Sequence, residues 1–378
     1  MSDTIFALSS GAPPAAIAVV RVSGPKAGAA LAVLAGRLPP PRRARSATLR
    51  NSAGEVLDRG LVLWLPGPDT ATGEDTAELH CHGGRAVIAA VEQALAVLPG
   101  LRRAVPGEFT RRAFANGRID LAEAEGLADL LAAETELQRA SAMIIAGGAI
   151  SKTVEAWRED LLAASAAVEA MLDFADEDDI VVLPIDFAFR LENLQSALRD
   201  WLARPRAETL RDGFRVVIGG PPNAGKSTLF NALVEEEAAI TTPLAGTTRD
   251  LLSRPVAIAG VPFVFVDTAG LHDQTGDRIE TIGIARARDA LGRADLVLWL
   301  GAEGEGPAGA WEIEAQLDRP EHVRKQAPRH RLSAHTGAGL DDLRADLLTL
   351  ARDAMPQPGQ AALNGRQHRL LSKAEGAL

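Results

Sequence analysis

Apolar residues change their spacing along the chain, and each change predicts a different kind of structure. Up to about residue 118, short apolar runs such as residues 17–22 and 61–65 lie between turns rich in Gly and Pro, and only residues 86–97 have helical spacing. The first 118 residues are therefore expected to form an α+β domain.

A helical pattern follows from residue 119. Proline is absent from there until Pro184, and alanine and leucine dominate. Four apolar residues recur at intervals that place them on one helix face: Leu161, Ala164, Val168 and Leu172. Another helix is expected at 187–202. This part of the chain predicts an all-α domain.

Short apolar strands alternate with helical segments from residue 214 to about 351, which is typical of a mostly parallel α/β sheet. Residues 360–378 again have helical spacing. The pattern therefore predicts three domains, which are an α+β domain at 1–118, a helical domain at 119–212 completed by 353–378, and an inserted α/β domain at 213–352.

The composition is that of a folded protein without a disulfide framework or a membrane span. Apolar residues make up 47%, charged residues 24%, and Cys81 is the only cysteine. The N-terminal residues do not have the pattern expected of a signal peptide, and no run approaches the roughly 20 apolar residues of a transmembrane helix. We therefore expect a cytoplasmic protein. The net charge of −10 argues against bulk coating of nucleic acid, although arginines cluster at 42–50 and at 102–112.

The clearest chemical signal lies at the start of the α/β region. A buried-strand pattern at 215–219 leads into the sequence GPPNAGKS at 220–227, and a helix former follows. This matches the complete P-loop motif in its required context of strand, turn and helix. Backbone amides of such a turn hold phosphates, while Lys226 is expected to reach the β- and γ-phosphates and Ser227 to bind Mg²⁺.

Two further motifs follow in the order that a nucleoside triphosphate site needs. In GTTRD at 246–250, Thr248 can complete the Mg²⁺ shell, and in DTAG at 267–270 the carboxylate lies near the metal and the glycine amide near the γ-phosphate. Leu271 stands where Ras-type enzymes have a water-orienting glutamine. Asn223 and residues 241–244 offer oxygens for a monovalent cation that would act in place of an arginine finger.

Eight segments together resemble the MnmE family of tRNA-modification GTPases, also called TrmE. They are residues 17–25, 73–84, 106–114, 117–125, 220–227, 245–250, 267–271 and 280–287. The resemblance covers nearly the whole chain. Its N-terminal segments are more specific than the nucleotide motifs, which many GTPases share.

The resemblance implies an α+β N-terminal domain, an all-α helical domain and an inserted Ras-like α/β P-loop GTPase domain. It also implies a homodimer whose N-terminal domains bind formyl-tetrahydrofolate, and G domains activated by GTP, Mg²⁺ and K⁺. With the FAD-dependent partner MnmG, in a heterotetramer, the family installs an aminomethyl or carboxymethylaminomethyl group at C5 of the wobble uridine of tRNA.

Individual roles follow from the resemblance by position. Folate would contact Arg21, Glu78 and Arg118. Mg²⁺ would be bound by Ser227 and Thr248, and K⁺ by Asn223, Thr242, Leu244 and Thr247. The catalytic set would be Lys226, Asp267 and Glu280, with Glu280 orienting the attacking water. GTP would be bound by Asn223, Ala224, Gly225, Lys226, Ser227, Thr228, Thr242, Thr247, Thr248, Asp267, Thr268, Ala269, Gly270, Asp318, Ser333 and Ala334.

The chain departs from the family pattern at two places. No complete N-K-x-D guanine motif exists: the segment 315–318 keeps only its aspartate, Asp318, and the segment 324–327 keeps only its lysine, Lys325. We therefore expect GTP to be preferred over ATP with weakened selectivity. The family's terminal Cys-Ile-Gly-Lys and the helices before it do not follow Leu378, which is expected to leave apolar helix faces uncovered.

Two functions are compatible with these patterns. The favoured one is GTP hydrolysis coupled to tRNA wobble-uridine modification, and the folate-type segments support it. The alternative is a potassium-dependent GTPase switch or assembly factor without modification chemistry. A zinc site at His80, Cys81 and His82 is not favoured, because no further ligands have suitable spacing.

Overall fold

The computed structural model describes residues 3–173, 183–235, 253–267 and 290–378. The chain divides into two compact units, Met1–Ala124 and Glu125–Leu378. Among the described residues, no helix is both long enough and apolar enough to span a membrane.

The first unit contains a six-stranded sheet with strand order β3-β4-β5-β2-β1-β6. Its strands are β1 (Thr4–Leu8), β2 (Ala15–Ser23), β3 (Arg45–Arg50), β4 (Val56–Leu65), β5 (Thr76–Gly83) and β6 (Leu101–Arg103). Neighbouring strands are antiparallel except β1 and β6, which are parallel. Its helices are α1 (Ala27–Ala35), α2 (Arg85–Ala96) and α3 (Glu108–Ala115).

Side-chain alternation in β2 sets the two faces of this sheet. Ala18, Val20 and Val22 are buried, and Val20 and Val22 belong to a core that also contains residues of α1 and α2. Arg21 lies between them in sequence and therefore points to the opposite face. The expected α+β character of this segment is confirmed.

Five helices follow: α4 (Leu121–Ala132), α5 (Glu136–Ala146), α6 (Ala149–Asp173), α7 (Phe187–Leu202) and α8 (Ala207–Asp212). A capping box starts α5, because the Thr135 hydroxyl accepts from the Gln138 amide while the Gln138 side chain returns to the Thr135 backbone. The helix expected at 187–202 is confirmed. The apolar stripe of α6 is helical as expected, but Leu161 and Leu172 are 47% and 65% exposed.

The second sheet has strand order β12-β11-β10-β7-β9-β8. Its strands are β7 (Phe214–Gly219), β8 (Ser253–Ile258), β9 (Val261–Asp267), β10 (Leu296–Trp299), β11 (Trp311–Glu314) and β12 (His330–Arg331). All pairs are parallel except β8 and β9. The expected mostly parallel α/β sheet is therefore confirmed.

Helices α9 (Lys226–Glu235) and α10 (Leu340–Asp353) accompany this sheet, and Leu229, Leu233, Leu343 and Leu347 join its buried core. The last helix, α11 (Gly365–Glu375), is shorter than the expected segment 360–378. It packs against α7. Ahead of α11, the Asn364 side chain donates to Glu125 at 2.8 Å.

Candidate functional site

The phosphate-loop sequence forms a tight turn between β7 and α9. Gly220 and Gly225 have φ of +146° and +91°, which glycine adopts without strain. A Cβ at Gly220 would lie 3.1 Å from the Gly301 amide nitrogen, so the residue also fits a close backbone approach. Helix α9 begins at Lys226. The amino-terminal end of the helix and the positive end of its dipole therefore face the turn, as an anion site requires.

Lys226 is buried inside this turn, with 4% of its surface exposed. Its ammonium donates to the carbonyl oxygens of Gly220 at 2.9 Å and Pro221 at 2.8 Å. The positive charge is thus held at the centre of the loop by the loop's own backbone. Phosphate oxygens are stronger acceptors for an ammonium group than these neutral carbonyls.

The carboxyl ends of neighbouring strands bring other expected residues to the same edge. Ile218 is opposite Asp267 in the pairing of β7 with β9, and Gly219 is opposite Trp299 in the pairing with β10. Asp267 is 8% exposed and ends β9 opposite Ile218, two residues before the first glycine of the phosphate loop. Ser227 and Thr228 are exposed in the first turn of α9.

A second group of expected residues follows β11 and β12. The Ser333 hydroxyl donates to Asp318 Oδ1 at 2.5 Å, and the Thr336 amide donates to the Ser333 oxygen at 3.2 Å. The Ser333 hydrogen bond lowers the pKa of Asp318, so an exposed carboxylate is held in a fixed position. Ala334 is the next residue.

Lys325, the lysine kept in the second candidate for the guanine motif, has other binding partners. Lys325 has no exposed side-chain surface and donates to the Trp299 carbonyl at 2.7 Å and to the Glu312 carboxylate. Its ammonium is therefore engaged in a buried ion pair next to β10 and β11. Of the two sequence candidates, only Asp318 has an exposed polar group.

Gln316 contacts the phosphate loop, and its sequence position did not predict this contact. Gln316 Nε2 donates to the Asn223 carbonyl at 3.2 Å, and Gln316 has a φ of +61°. A glutamine two positions before an aspartate carries no signal of such a contact. Asn223 itself has a φ of +64°, a left-handed conformation that asparagine tolerates better than most residues.

Arg21 and Glu78 of the first unit lie side by side on paired strands. They are opposite each other in the pairing of β2 with β5, and Arg21 donates to Glu78 through Nη2 at 2.8 Å and Nε at 3.0 Å. Glu78 also contacts His80 Nε2 at 3.2 Å. Burial works against ionisation of Glu78, but the hydrogen bonds from Arg21 and His80 outweigh it and the pKa of Glu78 is lowered.

Arg118, the third expected folate residue, has a different partner. Its guanidinium lies 3.5 Å from the Asp69 carboxylate and is 40% exposed on the side chain. Its aliphatic stem packs so close to Gly73 that a Cβ there would lie 3.1 Å from Arg118 Cγ. Arg21 and Glu78 are thus joined by direct hydrogen bonds, whereas Arg118, in the segment between α3 and α4, contacts the loop ahead of β5.

The arginine cluster at 102–112 is an ion network rather than a solvated patch. Arg112 is fully buried and contacts Glu74 at 3.0 Å, Asp3 at 3.0 Å and Glu108 at 3.3 Å. Arg102 donates to Glu108 at 2.5 Å and to Asp3 at 2.6 Å. Arg112 is therefore not part of an exposed arginine patch, because three carboxylates surround its guanidinium.

Cys81 and its neighbouring histidines have separate environments. Cys81 is buried in β5, and burial raises the pKa of its thiol to about 12. His82 contacts Asp58 at 2.8 Å. Within the described ranges, no group of three or more His, Cys, Asp or Glu side chains is arranged to bind a metal ion.

Several expected site residues lie outside the described part of the chain. They are Thr242, Leu244, Thr247, Thr248, Thr268, Ala269, Gly270, Leu271 and Glu280. Their assignments to Mg²⁺, K⁺, the γ-phosphate and the attacking water stay predictions.

The sheet order, the glycine-rich turn between β7 and α9 and the buried lysine at its centre define a P-loop nucleotide-binding protein of the GTPase type. Comparisons with known proteins extend this classification to the whole chain. The family model for the GTP-binding protein TrmE N-terminus matches residues 4–118, and that for the MnmE helical domain matches residues 121–378. The chain belongs to the MnmE family.

Two relatives called tRNA modification GTPase MnmE are 64% identical to the chain. The Erythrobacter litoralis protein matches over 376 residues and the Novosphingobium aromaticivorans protein over 390 residues. Both alignments cover 100% of this chain and 89% of the relative. The corresponding protein of Rhizorhabdus wittichii is 58% identical, with 100% and 86% coverage.

Solved structures of G domains also match part of the chain. The G domain of the T. maritima FeoB iron transporter is 23% identical over 36% of this chain and 98% of its own, with a TM-score of 0.25. The FeoB G domain of Methanococcus jannaschii is 20% identical over 37% and 98%, also with a TM-score of 0.25. These TM-scores are too low to define the fold of this chain.

Proposed function

We propose that this chain is a GTP hydrolase that acts in tRNA modification. The supporting observation is the phosphate loop with Lys226 at its centre and Asp267 at the adjoining strand end, in a chain 64% identical to proteins called tRNA modification GTPase. In the finer form of the proposal, hydrolysis drives C5 modification of the wobble uridine together with the FAD-dependent partner MnmG.

Hydrolysis at this site needs positively charged or hydrogen-bond-donating groups that stabilise the negative charge developing between the β- and γ-phosphates. Water attacks the γ-phosphorus and the bond to the bridging oxygen breaks, which leaves negative charge on the GDP product. The Lys226 ammonium and the first amides of α9 would stabilise that charge. In binding GTP, Lys226 would exchange its two carbonyl acceptors, Gly220 and Pro221, for phosphate oxygens.

The donor set near the phosphate loop fits Mg²⁺. Ser227 offers an exposed hydroxyl one residue after Lys226, and Asp267 offers a carboxylate at the neighbouring strand end, and such hard oxygen ligands are what Mg²⁺ prefers. When bound, Mg²⁺ would neutralise charge on the phosphate oxygens. Thr248 would add a further ligand, Glu280 would orient the water, and Asn223 with Thr242, Leu244 and Thr247 would hold K⁺.

The first unit has a polar group suited to the edge of a pterin. The Glu78 carboxylate can accept from pterin N–H groups while Arg21 keeps it ionised and fixed, and Arg118 would contact the ligand from the neighbouring loop. We therefore extend the proposal to a formyl-tetrahydrofolate site at Arg21, Glu78 and Arg118. Dimerisation through this unit and a cytoplasmic location belong to the same proposal.

We also propose that residues 213–352 form a G domain inserted into a helical domain made of 119–212 and 353–378. Support comes from Glu125, which accepts from Asn364, Arg366 and Gln367 across more than 230 positions of sequence, and from the packing of α11 on α7. These contacts join the two ends of the helical sequence.

The decisive experiment restores the chain to a bacterial strain that lacks the modification. Mass spectrometry of digested tRNA should detect the modified wobble uridine with the wild-type chain, and not with Lys226→Ala. Lys373→Ala, an exposed lysine of α11, is the matched control and should restore modification. Unmodified uridine from a chain that hydrolyses GTP would contradict the modification role and support the alternative of a switch or assembly factor.

A second assay tests the cation. If Asn223 holds K⁺ beside the phosphates, GTP hydrolysis should be faster in K⁺ than in Na⁺, and Asn223→Ala should remove the difference. Equal rates of the wild-type chain in the two salts would eliminate this part of the proposal.

A further inference from the structure

Gln316 connects two parts of the nucleotide site that are distant in sequence. It follows the end of β11 by two residues, and its Nε2 donates to the carbonyl of Asn223 in the phosphate loop at 3.2 Å. A Cβ built on Gly225 would lie 3.0 Å from Gln316 Nε2 and 3.2 Å from its Cγ. The side chain therefore lies directly on the phosphate loop and leaves room only for glycine beneath it.

The backbone holds Gln316 in an uncommon conformation that aims this side chain. Its φ of +61° is left-handed, a conformation that is unfavourable for residues other than glycine. Two hydrogen bonds fix the turn: the Leu317 amide donates to Leu332 at 3.3 Å, and the Arg319 amide donates to Gln316 at 2.9 Å. The turn is thus tied to the strand end that carries Ser333.

The same turn presents the carboxylate expected to read the base. Asp318 is two residues after Gln316 and is fixed by the Ser333 hydroxyl at 2.5 Å. Asp318 therefore offers the acceptor for the base, while Gln316 contacts the loop that holds the phosphates. The segment 316–318 would therefore contact the base through Asp318 and the phosphate loop through Gln316.

The contact from Gln316 is made at Asn223, where the backbone is left-handed. This residue has a φ of +64°, and its carbonyl is the acceptor that Gln316 holds. Fixing that carbonyl fixes the orientation of the following peptide units, whose amides face the phosphates.

We propose that Gln316 is a positioning residue for nucleotide binding: its amide holds the Asn223 carbonyl, and so keeps the phosphate loop in its binding conformation from the turn that also carries Asp318. The inference rests on the proposed function, since it requires a nucleotide in this loop. A neutral amide thereby occupies the position where a complete N-K-x-D motif, aligned on Asp318, has its lysine.

Gln316→Gly tests this proposal with little risk to folding. Glycine adopts a positive φ without strain, so thermal stability should stay at or above that of the wild-type chain. Loss of one hydrogen bond to the loop should raise the dissociation constants of GDP and GTP about 2- to 10-fold. Gln357→Ala, which removes an exposed glutamine away from the site, is the matched control and should bind GDP like the wild-type chain.

A comparison of GDP with IDP distinguishes a role in positioning the phosphate loop from a contact with the base. Inosine lacks the 2-amino group of guanine, so the ratio of GDP to IDP affinity reports on the contact made by Asp318. Gln316→Gly should weaken both nucleotides by the same factor and leave this ratio unchanged. Gln316→Lys should restore the wild-type GDP affinity or exceed it, because its ammonium can reach the same carbonyl and attract the phosphates.

Two results would overturn the inference. One is unchanged GDP affinity in Gln316→Gly, and the other is a loss confined to GDP that alters the ratio to IDP, which would mean contact with the base instead. Failure of the proposed function has a different signature, because the wild-type chain would then bind neither GDP nor GTP.

Discussion

Substitution of Asp318 by asparagine should change which base the protein prefers. Guanine presents N1–H and a 2-amino group, two donors that a carboxylate can accept together. Asparagine keeps one acceptor oxygen, which Ser333 can still hold in place, but it sets an NH₂ against the 2-amino group. Xanthine has a carbonyl at that position, so it can accept from the new amide.

The size of the effect follows from the contacts at Asp318. The pKa of this carboxyl is lowered by the Ser333 hydrogen bond, so the group is ionised at neutral pH and its hydrogen bonds are charge-assisted. Losing one such bond and opposing two donors should cost about 3 kcal/mol, or roughly a 100-fold loss of GTP affinity. Ala315 and Gln316 replace the asparagine and lysine of the full motif, so Asp318 would supply most of the proposed base selectivity.

Competition binding with a fluorescent guanine nucleotide measures this change. The affinity ratio of GTP to XTP should fall by at least about two orders of magnitude in Asp318→Asn, because GTP binding weakens while XTP gains a hydrogen bond. Asp353→Asn, an exposed carboxylate at the end of α10, should keep the wild-type ratio. If Asp318→Asn still prefers GTP as strongly as the wild-type chain, Asp318 does not read the base and the assignment is wrong.

Three further predictions concern the first unit. Arg112→Met should destabilise the first unit by about 3–5 kcal/mol, because Glu108 and Glu74 would lose a buried partner. The melting temperature should fall by roughly 10 °C or more. Arg111 is exposed, so the control variant Arg111→Met should change the melting temperature little. Hydrogen bonds from Arg102, with further ones from the Val105 amide and Arg112, outweigh burial and lower the pKa of Glu108 to about 2. Its contribution to stability is therefore present above pH 4.5 and lost as the pH falls from 4.5 towards 2, and Glu108→Gln should flatten that part of a pH-dependent melting series. Burial raises the pKa of Cys81 from 9.0 to about 12. A disulfide reagent should therefore label this thiol about 1000-fold more slowly in the native chain than in denaturant. Rapid labelling of the native chain would contradict the buried position.

Local sequence patterns were sufficient to predict the structure of elements whose geometry depends on their own residues. The phosphate loop was predictable because Gly220, Gly225 and Lys226 stand between a strand and a helix, and each residue has a separate physical requirement at its position. The apolar run at 17–22 likewise predicted a strand, which is β2. These elements need no knowledge of the residues that pack against them.

The contacts missed from sequence depend on residues far apart in the chain. Arg112 reads as one more surface arginine until the fold brings Asp3 and Glu74 to it over 109 and 38 positions. Lys325 reads as a candidate base contact until Glu312 and the Trp299 carbonyl enclose it. In each case the residue type is compatible with both an ion pair and a ligand contact, and only the partner in the folded chain shows which of the two is formed.

Gln316 is the strongest case, because its role depends on a backbone conformation as well as on distance. Side-chain type predicts neither its φ of +61° nor a contact with Asn223, which lies 93 positions earlier. The incomplete guanine motif reads from sequence as the loss of two functional groups. In the folded chain the side chain at one of those positions, Gln316, still donates to the phosphate loop, so the chemistry of the motif is altered while its contact with that loop is kept.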